Sequence, residues 1–207
     1  MRYYISDLHF FHDNLNHQMD DRGFSSEEEM NRYMIRRWNE RVKRKDDVII
    51  LGDFSMGTPE QTMDVLRELA GKKYLITGNH DRYLHSTRFD TRLFQWALPY
   101  REMKDNGRKV VLCHYPIFCY NSQFRRTAAG NHITYMLYGH VHNTPDEKLV
   151  NRFIRETRED VRQVKGDDEP KPVPCQMINC FCMYSDYTPL TLDEWIEADR
   201  KRRGGKP

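Results

Sequence analysis

The stretch Tyr74-Leu75-Ile76-Thr77-Gly78-Asn79-His80-Asp81 joins an apolar, β-prone run to a turn rich in ligand chemistry. Tyr, Leu, Ile and Thr favour a strand, and the glycine that follows punctuates it. Asn, His and Asp then offer an amide oxygen, an imidazole and a carboxylate, all of which ligate divalent cations. The same arrangement recurs on either side of this stretch. Tyr3–Ser6 runs into Asp7-Leu8-His9, and Val48–Leu51 into Gly52-Asp53. Downstream, Val110–Cys113 ends on His114 and Tyr135–Tyr138 on Gly139-His140-Val141-His142. Asp-x-His, Gly-Asp or His-x-His is weak alone. Five such segments, each closing a strand-like run, form a candidate metal centre, because ligands from distant segments converge only where a scaffold gathers strand ends.

Helical signals fill the gaps. Ser25 with Glu28 reads as a capping box, and Met30, Tyr33, Met34, Arg37, Trp38 and Val42 trace one helical face. A second helix begins at Pro59, runs through Met63, Leu66 and Leu69, and stops at Gly71. Strand and helix thus alternate through the first half, which predicts an α/β sheet. Further on, Leu149, Val150, Phe153, Ile154 and Val161 are spaced for an amphipathic helix within the charged region 146–164. The polar connection Gly166–Pro172 leads to closing strands of the same domain, including a run at Met177–Tyr184. One domain over 1–207 is expected, with a charged helix and loop at about 146–172 and a basic tail at 200–207.

With 207 residues, 38% of them hydrophobic and 31% charged, the chain can bury a substantial core beneath a charged surface. No apolar run approaches the roughly 20 residues that span a bilayer. Met1-Arg2-Tyr3-Tyr4-Ile5 enters a strand at once, so a cytoplasmic setting is expected. Five cysteines make a poor disulfide framework. Cys180 and Cys182, two apart in a strand-like run, are expected on one face as reduced thiols with Cys175. A net charge of +2 selects no partner, and Lys201-Arg202-Arg203 with Lys206 reads as a solvated, frayed tail.

With those motifs in place the chain resembles the calcineurin-like metallophosphoesterase superfamily over roughly residues 3–143. It looks most like the small bacterial and phage phosphoesterases. Those often carry a His-Phe-x-His-x-Asn stretch, as in His9–Asn14, and a closing run such as Tyr187–Glu194. The resemblance implies an α/β/β/α sandwich, two mixed sheets packed face to face with helices outside. It implies two divalent ions, manganese, iron, zinc or nickel, with Asp53 bridging them. Asp7, His9 and His142 would complete one shell, and Asn79, His114 and His140 the other. Water between the ions would become the nucleophile, and His80 would assist the leaving group. Two ions and two aspartates leave roughly +2 to meet a phosphate dianion.

The departures narrow the class. Protein phosphatases of this superfamily place an Asp and an Arg three and four residues after the bridging Asp, where this chain has Met56 and Gly57. A small phosphoester, with nucleotides among the candidates, is the expected partner. A catalytically silent scaffold and a nuclease are the alternatives, although no basic groove supports nucleic acid. His12, Asn14 and Arg82 are candidate substrate contacts near the motifs. Arg125 and Arg126 join them from the aromatic and basic segment Pro116–Ile133, which holds Phe118, Tyr120, Phe124 and His132. Asp81 has two readings, a turn cap or a catalytic group. His17, His85 and His132 have no sequence partners and read as ordinary surface or packing residues.

Overall fold

The computed structural model describes residues 1–127, 130–163 and 168–204. In chain order the elements are β1 (Arg2–Ile5), α1 (Glu27–Arg41), β2 (Asp47–Ile50), α2 (Pro59–Glu68), β3 (Lys72–Ile76) and β4 (Phe94–Leu98). There follow β5 (Tyr100–Asp105), β6 (Arg108–Cys113), β7 (Thr134–Tyr138), α3 (Pro145–Glu159), β8 (Val161–Arg162), β9 (Lys171–Pro172), β10 (Met177–Asn179) and α4 (Leu192–Arg202).

Two four-stranded sheets form the centre. The first, in the order β1-β2-β3-β4, pairs in parallel throughout. The second, β10-β7-β6-β5, is mixed, because β5 and β6 are antiparallel. Strand alternation decides what each face meets. Tyr4, Ile49 and Leu51 point from the first sheet to Val110, Leu112 and Leu137 of the second, making a shared apolar middle layer. Tyr3, Ile5, Val48 and Ile50 point the other way, to Met30, Met34 and Trp38 of α1 and Leu66 of α2. Val111, Met136 and Tyr138 meet Val150 and Ile154 of α3. The result is the α/β/β/α sandwich. β1, β2 and β7 are buried on both faces along most of their length, which explains why their sequences are largely continuous in apolar residues rather than alternating.

Caps set the helix ends. Thr58 forms a full capping box with Gln61 at the start of α2, where Pro59 takes the first position. For α1 the capping residue is Ser26, not Ser25: Ser26 accepts from the Glu29 N–H, while the Glu29 carboxylate accepts from Ser25. Trp195 of α4 is buried in the middle layer and donates to the Tyr4 carbonyl oxygen at 2.8 Å.

Four other expectations are corrected. α3 ends at Glu159, and Val161 lies beyond it in β8. The run at Met177–Tyr184 is a strand only to Asn179; a 3₁₀ turn occupies Cys182–Ser185. Cys180 therefore faces the middle layer and Cys182 the α1 side, although all five cysteines are free thiols. Nor are Arg202 and Arg203 frayed. Arg202 pairs with Glu147 at 2.8 Å and Arg203 with Asp199 at 2.7 Å, and Arg203 also reaches Asn151. Val164, Gly166, Asp167 and Lys206 lie outside the described residues. No helix among the described residues is long and apolar enough to cross a membrane.

Candidate metal centre

The loops after β1, β2, β3, β6 and β7 carry the motif residues. Backbone hydrogen bonds lock neighbouring loops together: Asp7 N–H donates to the Gly52 oxygen at 3.1 Å and His9 N–H to the Asp53 oxygen at 2.9 Å. The turns are sharp. Asp7, His9, Asp53, His140 and His142 all have positive φ, between 45° and 70°, a region uncommon for residues with a side chain. Glycines leave room for them. Gly52 has φ +90°, and a Cβ there would lie 2.3 Å from His114 Nδ1; one on Gly78 would lie 2.2 Å from Asp53 Oδ1.

Asp81 ties the second and third loops. Its buried carboxylate accepts from the backbone N–H groups of Gly78 at 2.7 Å, Phe54 at 2.8 Å and Asp53 at 3.1 Å, and from the Tyr83 hydroxyl. Burial pushes its pKa up, against the pull of those N–H groups. It makes no side-chain cap on the 3₁₀ turn Arg82–His85 that follows it; the carboxylate instead ties the loops after β2 and β3.

The side chains converge as two groups. Asp7, His9 and His142 bring their donor atoms within 4.8 Å of one another, and Asp53, His114 and His140 do the same. His9 Nε2 lies 3.3 Å from His142 Nε2, and His142 Nε2 lies 3.5 Å from Asp7 Oδ1. Asp53 Oδ2 stands between the groups, 3.5 Å from His9 Nε2 and 3.3 Å from His114 Nε2. Asn79 Oδ1 lies 3.1 Å from His114 Nε2. Asp7, His9, Asp53, His114 and His142 are buried, whereas Asn79 is exposed.

Divalent ions fit this arrangement. Asp7 Oδ2 is buried without a hydrogen-bond partner, a costly state for a carboxylate unless a cation meets it. In the metal-free protein, protons partly stand in for that charge. Burial would lower the pKa of His114 and His142, but the neighbouring carboxylates outweigh it and hold both at about 9. At His9 burial wins over Asp53 and Asp7, leaving it at about 3. Asp53 is held below its usual range, since His114 and His9 outweigh its burial. Ligation requires neutral imidazole, so metal uptake would displace protons from His114 and His142.

A further layer surrounds these groups. His114 Nδ1 lies 2.8 Å from the Leu51 carbonyl oxygen, and His142 Nδ1 lies 2.7 Å from Asp20 Oδ1. His80 donates its backbone N–H to Asp53 Oδ1 at 2.8 Å, and its half-buried ring meets His9 edge-on at 5.3 Å. His12 adjoins the same rings, 5.3 Å from His9 and 6.5 Å from His80. Asn14 and Arg82 are exposed nearby in sequence, on the 3₁₀ turns Asp13–Asn16 and Arg82–His85. The other two candidates have partners of a different kind. Arg125 lines a cavity of about 400 Å³ with Glu102 and Lys109, and Arg126 donates to the Pro172 carbonyl oxygen. Tyr115, Asp20 and Arg22 were not legible in the sequence. Tyr115 packs edge-on against His140 at 4.5 Å, with its hydroxyl 3.4 Å from Asn79 Oδ1. Only the neighbouring His114 pointed to it, and nothing in Asp20-Asp21-Arg22 points to His142.

A sequence model described as the calcineurin-like phosphoesterase superfamily domain matches residues 2–164. This chain belongs to that superfamily. It is 31% identical over 179 residues to the uncharacterized protein MJ1445 of Methanocaldococcus jannaschii, covering 85% of this chain and 88% of that one. It is 30% identical over 181 residues to the Gene 66 protein of Mycobacterium phage D29, covering 78% and 84%. A crystal structure of the Aquifex aeolicus protein of unknown function AQ665 shares the fold, with a TM-score of 0.63 at 23% identity over 95% of this chain and 98% of that one. Superfamily membership and the two His/Asp groups support a metal-dependent phosphoesterase, and none of the relatives' names states a substrate.

Proposed function

We propose that this chain hydrolyses a phosphomonoester or phosphodiester, with nucleotide-type substrates among the candidates, at a centre of two divalent ions. Asp7, His9 and His142 would hold one ion and Asn79, His114 and His140 the other, with Asp53 between them. The observation that carries this reading is the position of Asp53 Oδ2, within 3.5 Å of a histidine nitrogen from each side. Mixed nitrogen and oxygen donors suit manganese, iron, zinc or nickel. When bound, such ions supply Lewis-acid charge to phosphoryl oxygens and lower the pKa of water.

The protein's own contribution is positional. Asp53 accepts the His80 backbone N–H, so the residue that spans the two groups also fixes the loop bearing His80. His80 is outside both groups and half-buried, which suits a proton donor to a leaving oxygen. Asn79 adds an oxygen ligand without cancelling further positive charge.

The test is an activity screen on protein reconstituted separately with each metal, comparing phosphomonoester, phosphodiester and 2′,3′-cyclic nucleotide substrates. Metal-dependent turnover of at least one class is expected. Two bound ions with no turnover of any class would favour a catalytically silent scaffold instead.

A further inference from the structure

Asp20 and Arg22 belong to neither donor group, yet their side chains are only 1% and 0% exposed. Asp20 Oδ1 lies 2.7 Å from His142 Nδ1. Asp20 Oδ2 accepts from Arg22 Nε at 2.9 Å and from its Nη2 at 2.9 Å. The guanidinium is used twice more: Nη1 donates to the Leu8 carbonyl oxygen at 2.7 Å and Nη2 to that of Asp7 at 2.9 Å. One buried ion pair thus holds the loop bearing Asp7 and His9 with one end and the ring of His142 with the other.

The second group has a different backing. His114 Nδ1 faces a neutral carbonyl, that of Leu51. A carboxylate can only accept, so His142 must donate from Nδ1 to Asp20, which leaves the Nε2 lone pair for an ion. A charged acceptor also makes the imidazole a stronger donor to metal than a carbonyl does. A buried ion pair is by itself weak support for stability; its bonds to the Asp7 and Leu8 carbonyls and to the His142 ring give it a different use.

We infer that Asp20 and Arg22 are positioning residues for the Asp7–His9–His142 site and make it the tighter of the two ion sites. This rests on the two-ion reading above.

Chelator-stripped protein titrated with Mn²⁺ alone, followed by calorimetry and by bound-metal analysis, should resolve a tight and a weak class of ion. Asp20→Asn keeps an oxygen opposite Nδ1 and removes the charge; Asp20→Ala removes both. The tight class should weaken by about 10-fold in the first variant and toward 100-fold in the second, with the weak class unmoved. His142→Ala should abolish the same tight class. Asp20→Asn leaves Arg22 without its counter-charge, so the charge-neutral pair Asp20→Asn with Arg22→Gln is the second variant, and the same selective loss is expected. Unchanged affinities, or equal weakening of both classes, would overturn the inference.

A wild-type measurement needs no variant. In ¹⁵N-labelled, zinc-loaded protein, long-range ¹H–¹⁵N spectra should place the His142 proton on Nδ1 in a strong, downfield-shifted hydrogen bond. A proton on Nε2 would overturn the assignment. Wild type that takes up no ion would remove the two-ion premise itself, whereas two ions with an Asp20→Asn protein indistinguishable from wild type would sink this inference alone.

Discussion

Among single residues, the division of labour turns on His80. It shares a loop with Asn79 but is tethered through its backbone to Asp53, so its ring is placed without being claimed by either donor group. His80→Ala should lower kcat on an ordinary phosphoester by about 10²–10⁴-fold while bound metal stays at the wild-type level. Full turnover with metal bound would remove His80 from the chemistry. The identities of the candidate ligands were legible because aspartate, asparagine and histidine after apolar runs are conspicuous. Asp20 and Arg22 were not, since short-range sequence shows only a charged turn, and the partner His142 is 122 positions away. The left-handed backbone was equally hidden, because Asp and His do not announce the conformation as glycine does.

At the scale of elements, patterning predicted where strands and helices lie better than where they stop. Hydrophobic runs report burial, and burial does not distinguish a strand from a packed turn. Met177–Tyr184 is the example: Phe181 and Cys182 are as buried as Ile178, but the chain has left the sheet by then. Charged partners across strands were likewise out of reach. On the β5–β6 hairpin the Glu102 carboxylate accepts from Lys109, Tyr100 and Asn121, and these bonds, that from Lys109 foremost, lower its pKa to about 2. A folded-state pKa below the ordinary 4.5 means the stabilisation is complete above about pH 4.5 and drains away as pH falls toward 2. The pair is partly exposed, so Glu102→Gln should cost no more than about 1 kcal/mol at neutral pH. Denaturant unfolding should show the gap between wild type and Glu102→Gln at pH 7 and its closure near pH 2; an equal gap at both would contradict the assignment.

At the scale of the whole molecule, each donor group draws on both sheets. Asp7 and His9 follow β1 while His142 follows β7; Asp53 follows β2 while His114 and His140 follow β6 and β7. Bound ions would therefore fasten the two layers at one end of the sandwich, above the apolar middle layer. An ion present at 100 times its Kd adds about 2.7 kcal/mol by mass action, which for a domain near 200 residues raises Tm by roughly 5–10 °C. Calorimetry with excess Mn²⁺ and with chelator should show that difference, and coincident transitions would count against ions held between the sheets. The positive φ of Asp7, His9, Asp53, His140 and His142 has a consequence for how the sequence would drift. Variants selected for heat survival alone, with metal withheld, would gather glycine and asparagine at these turns, relieving about 1 kcal/mol or more at each. Selected instead for metal-dependent growth, the same library would keep its aspartates and histidines, and the difference between the two populations would map the centre without a single assay of binding.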